Sequence, residues 1–423
     1  MKSKKLMMVS TGFPYGQGES FIEAELAYVS DFFAKVTLVP SFSAPHTSPR
    51  ATPHDVELAY AKARWGAARV IHVISSFIRA LGRQPWLGEA MTILGRAHRI
   101  ENLKELARSL YRARLFEQFL ERQFAAGKHY DMIYFYWMVP EIAGALSFRN
   151  RSSLESIKTI TIVARGHGGD LYEELRPGGY AGLIDTITAG IDAVFCISEH
   201  GKKYLTDKYP ELKPNFHLAR LGVVDPGFIN PQPQDDILSI LSCSFMVPGK
   251  RIHLIIQAIE FLLKVHPHMH VRWTHIGDGE LFDQLHLQAS RLLSSHNVEV
   301  VLKGYMPQAA VVAYYRDAAF DVIVNVSDSE GIPVSLMEAS SVGIPMVATD
   351  VGGSSEIVNA ANGILIEASA SPARIAAALL TFTNKSLARS YRIRARSDWS
   401  TSFNAQCNYL NFGRALLRSM ERS

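Results

Sequence analysis

The chain has 423 residues, 48% hydrophobic and 20% charged, enough for two or three domains with cores of their own and unlike a disordered or fibrous composition. Its 44 basic and 40 acidic residues leave a net charge of +4, which carries no overall nucleic-acid signature. The three cysteines, Cys196, Cys243 and Cys407, are odd in number, far apart and outside any CxxC pair, so neither a disulfide framework nor a zinc site is expected and a reducing cytoplasm is.

Lys2, Lys4 and Lys5 precede a short apolar run, Leu6–Ser10, which Gly12 and Pro14 interrupt. It is too short for a secretory apolar region and reads as a first buried strand. A glycine-rich loop follows, with Gly16 and Gly18 separated by Gln17, and then a helix over Phe21–Phe33. Val36–Pro40 reads as a second strand. The stretch 56–128 is long, helical and without strands. Within it, residues 62–128 hold 13 basic and 5 acidic side chains, +8 against −4 for the rest of the chain. Val70, Val73, Ile74, Phe77, Ile78 and Leu81 make one apolar stripe at helical spacing, with Arg69, Arg79 and Arg83 opposite and Trp65 and Trp86 at its ends. That pattern fits a core-facing helix and equally one lying on an anionic membrane surface.

Further strands are expected at Met132–Trp137, Thr159–Ala164 and Ala193–Ile197, then at Ile237–Ser242, Val271–Ile276, Val298–Leu302, Asp321–Val326 and Met346–Thr349. They are rich in β-branched residues and nearly continuous, as strands buried on both faces are. No window approaches the ~18 uncharged apolar residues of a membrane span. Amphipathic stretches alternate with these strands, which predicts an α/β fold of two doubly wound, Rossmann-like parallel sheets facing a deep cleft. Asp225–Asp236, with three prolines, breaks the rhythm and reads as a flexible linker. The expected boundaries are 1–226, a linker at 227–236, a second domain at 237–398 and a helical end at 399–423.

Ligands bind such sheets beyond the carboxyl ends of the strands. The richest loop there runs from Asn325 to Val358. A strand ends near Val326, Glu330-Gly331-Ile332-Pro333 follows, and a helix starts near Val334 with Glu338 just over one turn inside. Unpaired N–H groups at the positive end of that helix suit a phosphate. A carboxylate on each side suits sugar and ribose hydroxyls. A second glycine loop, Gly352-Gly353, ends in Glu356. Ser242 to Arg251 offers Lys250 and Arg251 after the first strand of the second domain. Arg165 to Asp170 offers His167 between glycines at a strand end. Gly277-Asp278-Gly279, Gly304-Tyr305-Met306 and Ser198 are ordinary turn residues that occupy similar strand ends.

Glu330, seven residues and Glu338, followed by Gly343-Ile344-Pro345 and Val351-Gly352-Gly353, resemble the signature of the retaining glycosyltransferases of family 4. The resemblance implies the GT-B fold and transfer of a hexosyl or N-acetylhexosaminyl group from a nucleotide sugar, with retention, to a hydroxyl of a glycan or lipid-linked glycan in polysaccharide biosynthesis. It implies that Glu330 meets donor-sugar hydroxyls, that Glu338 binds the ribose, and that Gly331, Ile332 and Pro333 lie against sugar and phosphate. Lys250 matches the family's diphosphate-binding lysine; Phe245 stands where an arginine is usual, and an inward-turned Arg251 would restore the charge. His167 and Asp170 match a His-Gly-x-Asp element beside the sugar. Gly16 and Gly18 match a glycine loop near the β-phosphate, and Gly277 a loop near the nucleotide. The resemblance also implies that the helix pattern Phe403–Met420 crosses back to the first domain. No DxD triplet is present, so no metal or cofactor is expected, and no nucleic-acid partner. A cytoplasmic protein at the inner face of a membrane is expected. A non-catalytic nucleotide-sugar-binding protein and a nucleotide-sugar epimerase remain alternatives on the same residues.

Overall fold

The computed structural model describes residues 3–421 except 17–18, 43–48, 65–88, 90–92, 94, 96–97 and 293–296. The chain divides into two compact units, Met1–Ala219 with Tyr409–Ser423, and Arg220–Asn408.

Among the described residues the first unit carries seven strands: β1 Lys5–Ser10, β2 Lys35–Pro40, β3 Asp55–Val56, β4 Met132–Phe135, β5 Thr161–Gly166, β6 Ala193–Cys196 and β7 Phe216–Leu218. They form one sheet in the order β3-β2-β1-β4-β5-β6-β7, with every pair parallel. The second unit repeats the plan with six: β8 Ile237–Cys243, β9 His270–Ile276, β10 Val298–Leu302, β11 Val322–Asn325, β12 Met346–Thr349 and β13 Gly363–Ile366. Their order is β10-β9-β8-β11-β12-β13, again all parallel. Both are doubly wound, Rossmann-like sheets. In each, the order reverses between the first strand and a strand far along the chain: β1 beside β4, and β8 beside β11. The loops leaving those neighbours are where such sheets place ligands.

The central strands are sealed on both faces because a parallel sheet needs helices on each side. Residues 6–10 of β1 and all of β4, β5 and β6 are buried. The helix Arg99–Ala125 supplies Leu106, Leu110, Phe116 and Leu120 to the core that also holds Met7, Ile133 and Ile162. Its apolar stripe therefore belongs to the domain interior. The stripe from Val70 to Leu81, with Trp65 and Trp86, lies outside the described residues.

Asp225–Asp236 has no helix or strand, and two of its residues are anchored to the second unit. Asn230 is buried, and its Nδ2 donates to the carbonyls of Tyr315 and Ala318 at 2.6 and 2.7 Å. Arg392 bonds the Asn230 carbonyl, and Asp225 pairs with Arg396 at 2.7 Å. Proline spacing signals the lack of regular structure; it does not reveal side-chain anchors from helices more than 150 residues away.

No helix among the described residues is long and apolar enough to cross a membrane.

Candidate functional site

In the second unit, the loops after β8 and β11 meet because those strands are neighbours. Lys250 ends a short 3-10 turn after β8. Glu330 lies between β11 and the helix Val334–Ser341. The Lys250 Nζ donates to Glu330 Oε1 at 2.6 Å. The same oxygen accepts from Ser327 Oγ at 2.7 Å and from Asn325 Nδ2 at 3.1 Å. Three donors on one oxygen leave Oε2 without a side-chain partner among the described residues. The Glu330 side chain is 9% exposed, so its rotamer is set before any ligand arrives. Asn325 and Ser327 were missed from sequence; both lie inside the stretch singled out there, and only the fold turns them toward the carboxylate.

The backbone of Glu330 is held as firmly. Gly352 has φ +52, and a Cβ there would sit 1.7 Å from the Glu330 carbonyl oxygen. Only glycine allows that approach. The Gly353 N–H donates to the Gly331 carbonyl at 3.1 Å. The second glycine loop thus acts as a brace for the first. Glu356, just beyond it, pairs with Arg220 at 2.9 Å.

Pro333 caps the helix Val334–Ser341, and Ile332 is buried beneath it. The N–H groups of Gly331, Ile332 and Val334 have no acceptor among the described residues. They are free donors beside a charged pair, at the positive end of a helix. Glu338 is one turn in, 8% exposed, with Gln308 Nε2 donating to its Oε1 at 2.5 Å. Burial raises its pKa to about 7, and the Gln308 bond opposes the rise only in part. Gln308 starts the helix after β10; nothing at sequence level ties it to Glu338.

Arg251 departs from expectation. Its Nε, Nη1 and Nη2 donate to the carbonyls of Val326, Ala368 and Ser327 at 2.6–2.7 Å. The guanidinium fastens the loop after β11 instead of facing a diphosphate, so it does not replace the cation missing at Phe245, which is 55% exposed. Gly277 has φ +140, and a Cβ there would sit 1.8 Å from the Ser244 carbonyl. It lets the loop after β9 pack on the loop after β8, with Gly277 N–H bonded to the Gly304 carbonyl at 2.9 Å.

In the first unit, His167 caps the short helix Gly168–Leu171 after β5. Asp170 accepts from the N–H groups of His167 and Met138 at 2.6 and 2.7 Å, joining the loops after β5 and β4. Burial lifts its pKa to about 7, opposed by these bonds. The His167 ring is packed against Trp137, Tyr136 and Phe21, with centroids at 4.2, 5.1 and 6.1 Å. Burial, helped by the Arg165 charge, lowers its pKa to about 3, so the imidazole is neutral. One ring nitrogen bonds the Tyr136 backbone. Nε2 is buried without a partner. A neutral ring donating at its other nitrogen leaves a lone pair at Nε2.

Arg165 itself is fully buried. It pairs with Glu25 at 2.9 Å, donates to Tyr134 at 3.0 Å and stacks on Phe412 at 4.0 Å. In the first loop, Gly16 has φ +74 with open space around it; Gly18 lies outside the described residues. The Glu19 carboxylate accepts from the N–H groups of Thr11, Gly12 and Phe13 at 2.7–3.1 Å and from Trp137 Nε1 at 2.5 Å. An acidic side chain of the chain itself thus holds the glycine loop and the tryptophan that covers His167. Among the described residues, no group of three His, Cys, Asp or Glu side chains is placed to hold a metal ion.

Residues 230–398 match the family described as Glycosyl transferases group 1. The chain is 28% identical over 193 residues to an O-antigen biosynthesis glycosyltransferase, WbnH, of Escherichia coli; the match covers 42% of this chain and 51% of that one. It is 32% identical over 152 residues to a putative colanic acid biosynthesis glycosyltransferase, WcaL, of the same species, covering 34% and 36%. The chain spans about half the length of the first of these relatives. Among solved structures, the Anabaena protein Alr3699/HepE, in complex with UDP and glucose, aligns with a TM-score of 0.65 at 15% identity, over 98% of this chain and 99% of that one. Identity that low speaks to shared fold alone, and here the fold is shared along nearly the whole chain.

Proposed function

We propose that this protein is a retaining glycosyltransferase that moves a sugar from a nucleotide-sugar donor to a hydroxyl of a glycan or lipid-linked glycan during polysaccharide synthesis. The observation that carries the reading is the preset Glu330: fixed by Lys250, Ser327 and Asn325 and followed by free N–H groups at a helix start. The donor's diphosphate lies on those N–H groups and on Lys250. Both stabilise the charge that grows on the leaving group. Glu330 orients the sugar through its hydroxyls, Glu338 takes the ribose, and the neutral His167 accepts from a sugar hydroxyl. Transfer is front-face: the acceptor oxygen bonds the anomeric carbon on the side from which the diphosphate departs, and its proton passes to the departing phosphate oxygen. The protein supplies position and charge, and no metal is needed for the step.

The match of residues 230–398 to the glycosyl transferases of group 1 supports the donor side, and the O-antigen and colanic acid relatives support a polysaccharide acceptor. With such an acceptor the protein works in the cytoplasm at the inner face of a membrane, to which the +8 charge of residues 62–128 would be drawn. Incubation with UDP-, GDP-, ADP- and dTDP-sugars tests the reading. Slow release of free sugar, or transfer to an added glycan, is the expected result. Formation of an epimer, or binding without turnover, would replace the reading with one of its alternatives.

A further inference from the structure

A cavity of about 310 Å³ lies in the first unit, beside the His167 loop. That is the lower end of the range of ligand sites, the space of roughly ten waters and so of one sugar ring. Thr11, Trp137, Met138, Gly169, Asp170, Ile184 and Ile187 are among the residues that line it. Its apolar wall with an aromatic ring and a few polar groups has the makeup of a site for a small polar ring.

Four charged groups face it: Glu105, Arg112, Asp170 and Arg176. Three are committed. Arg112 makes a two-pronged pair with the buried Glu141 at 2.7 and 3.0 Å. Glu105 lies 3.5 Å from Arg108. Asp170 holds two backbone N–H groups. Arg176 lies close enough for its charge to act on Asp170, but it makes no ion pair or side-chain hydrogen bond among the described residues, and its Nε is buried with nothing to donate to. A buried donor left unpaired is costly, and a guanidinium fork matches a two-oxygen anion.

We infer that this cavity receives a sugar bearing an oxyanion, a carboxylate or a phosphate ester, which Arg176 grips while Trp137 and the isoleucines cover the ring. The inference rests on the transferase reading, since a cavity sharing Trp137, Gly169 and Asp170 with the His167 loop is where an acceptor sugar would wait. It makes the acceptor an acidic glycan.

The test is equilibrium binding to the full-length protein without donor, followed by calorimetry or saturation-transfer NMR. The probes are methyl β-glucuronide, glucose 6-phosphate and neutral methyl β-glucoside. One of the two anions should bind at least tenfold more tightly than the glucoside, and which one does so identifies the anion. Arg176→Met should abolish that preference. Gly169→Leu offers a second route, because a Cβ at Gly169 meets nothing within 4 Å; it should block all three probes by filling the space. Equal binding of the three sugars, no binding of any, or an unchanged preference in Arg176→Met would overturn the inference. Nucleotide-sugar binding is measured on the same samples. If it persists while the anionic sugars fail, only the acidic acceptor falls; if it is absent too, the transferase reading falls with it.

Discussion

Lys250 rests on Glu330 at 2.6 Å, a cation and a carboxylate held together on the loops of two neighbouring strands. Each fixes the other, and each is assigned a part in donor binding. Glu330→Ala should lower kcat at least ~100-fold, the loss typical when a preorganised charge-stabilising contact is removed. Lys250→Met should lower kcat similarly. Because the two act as a unit, the double variant should be far less impaired than the product of the single losses. Steady-state kinetics of the four proteins checks this; multiplicative losses would show that the pair does not act together.

Gly352 supports Glu330 from behind. Gly352→Ala places a Cβ against the Glu330 carbonyl at 1.7 Å and at φ +52. The left-handed backbone alone costs about 1–2 kcal/mol, and the contact is with backbone, which no rotamer relieves. Turnover should fall along with stability. Gly16→Ala is the comparison: it has φ +74 and open space, so only the backbone term applies. Thermal melting of both variants should rank Gly352→Ala well below Gly16→Ala.

Burial holds the Glu338 pKa at about 7, which sets two pH effects of different origin. The folded state holds its proton more tightly than the unfolded chain, where the value is 4.5. The stability this group contributes is therefore present in full below pH 4.5 and is lost as pH rises toward 7, by roughly 3 kcal/mol in total. Glu338→Gln should remove that loss, raising the melting temperature more at pH 8 than at pH 5. Ribose recognition needs the ionised acceptor, so the donor's KM should rise as pH falls below 7 in the wild type and stay flat in Glu338→Gln. A wild-type KM independent of pH from 5.5 to 8 would remove Glu338 from the donor site.

Arg251 is predicted to matter for the loop and not for the diphosphate. Arg251→Ala leaves the Val326, Ser327 and Ala368 carbonyls without their donor, at about 1–3 kcal/mol of stability. Lysine should rescue little, since a single ammonium cannot span three carbonyls. Denaturant melts of the two variants check the point, with Lys250→Met as the variant that loses nucleotide affinity.

The strand interiors were legible because strands sealed on both faces are mostly apolar, as β4 is throughout and as β5 and β11 are apart from Thr161, Arg165 and Asn325. The three strands that the sequence pattern did not reveal, β3, β7 and β13, are sheet edges of two to four residues, too short to carry a pattern. That Glu330, Lys250 and His167 lie in loops that follow strands was legible. Their supports were not. Gln308 reaches Glu338 across 30 residues, Glu19 reaches Trp137 across 118, and neither pair has a local spacing to betray it. Arg251 was misread because a cation beside an expected phosphate loop shows its charge in the sequence but not its direction, which three carbonyls decide.

The most direct measurement follows the anomeric signal of the sugar by NMR while the protein turns over its nucleotide-sugar donor, for wild type and for Glu330→Gln. The account predicts that the first product keeps the donor's anomeric configuration, that added EDTA leaves the wild-type rate unchanged, and that Glu330→Gln is slower by about two orders of magnitude. Inverted product, or a Glu330→Gln protein as fast as wild type, would contradict it.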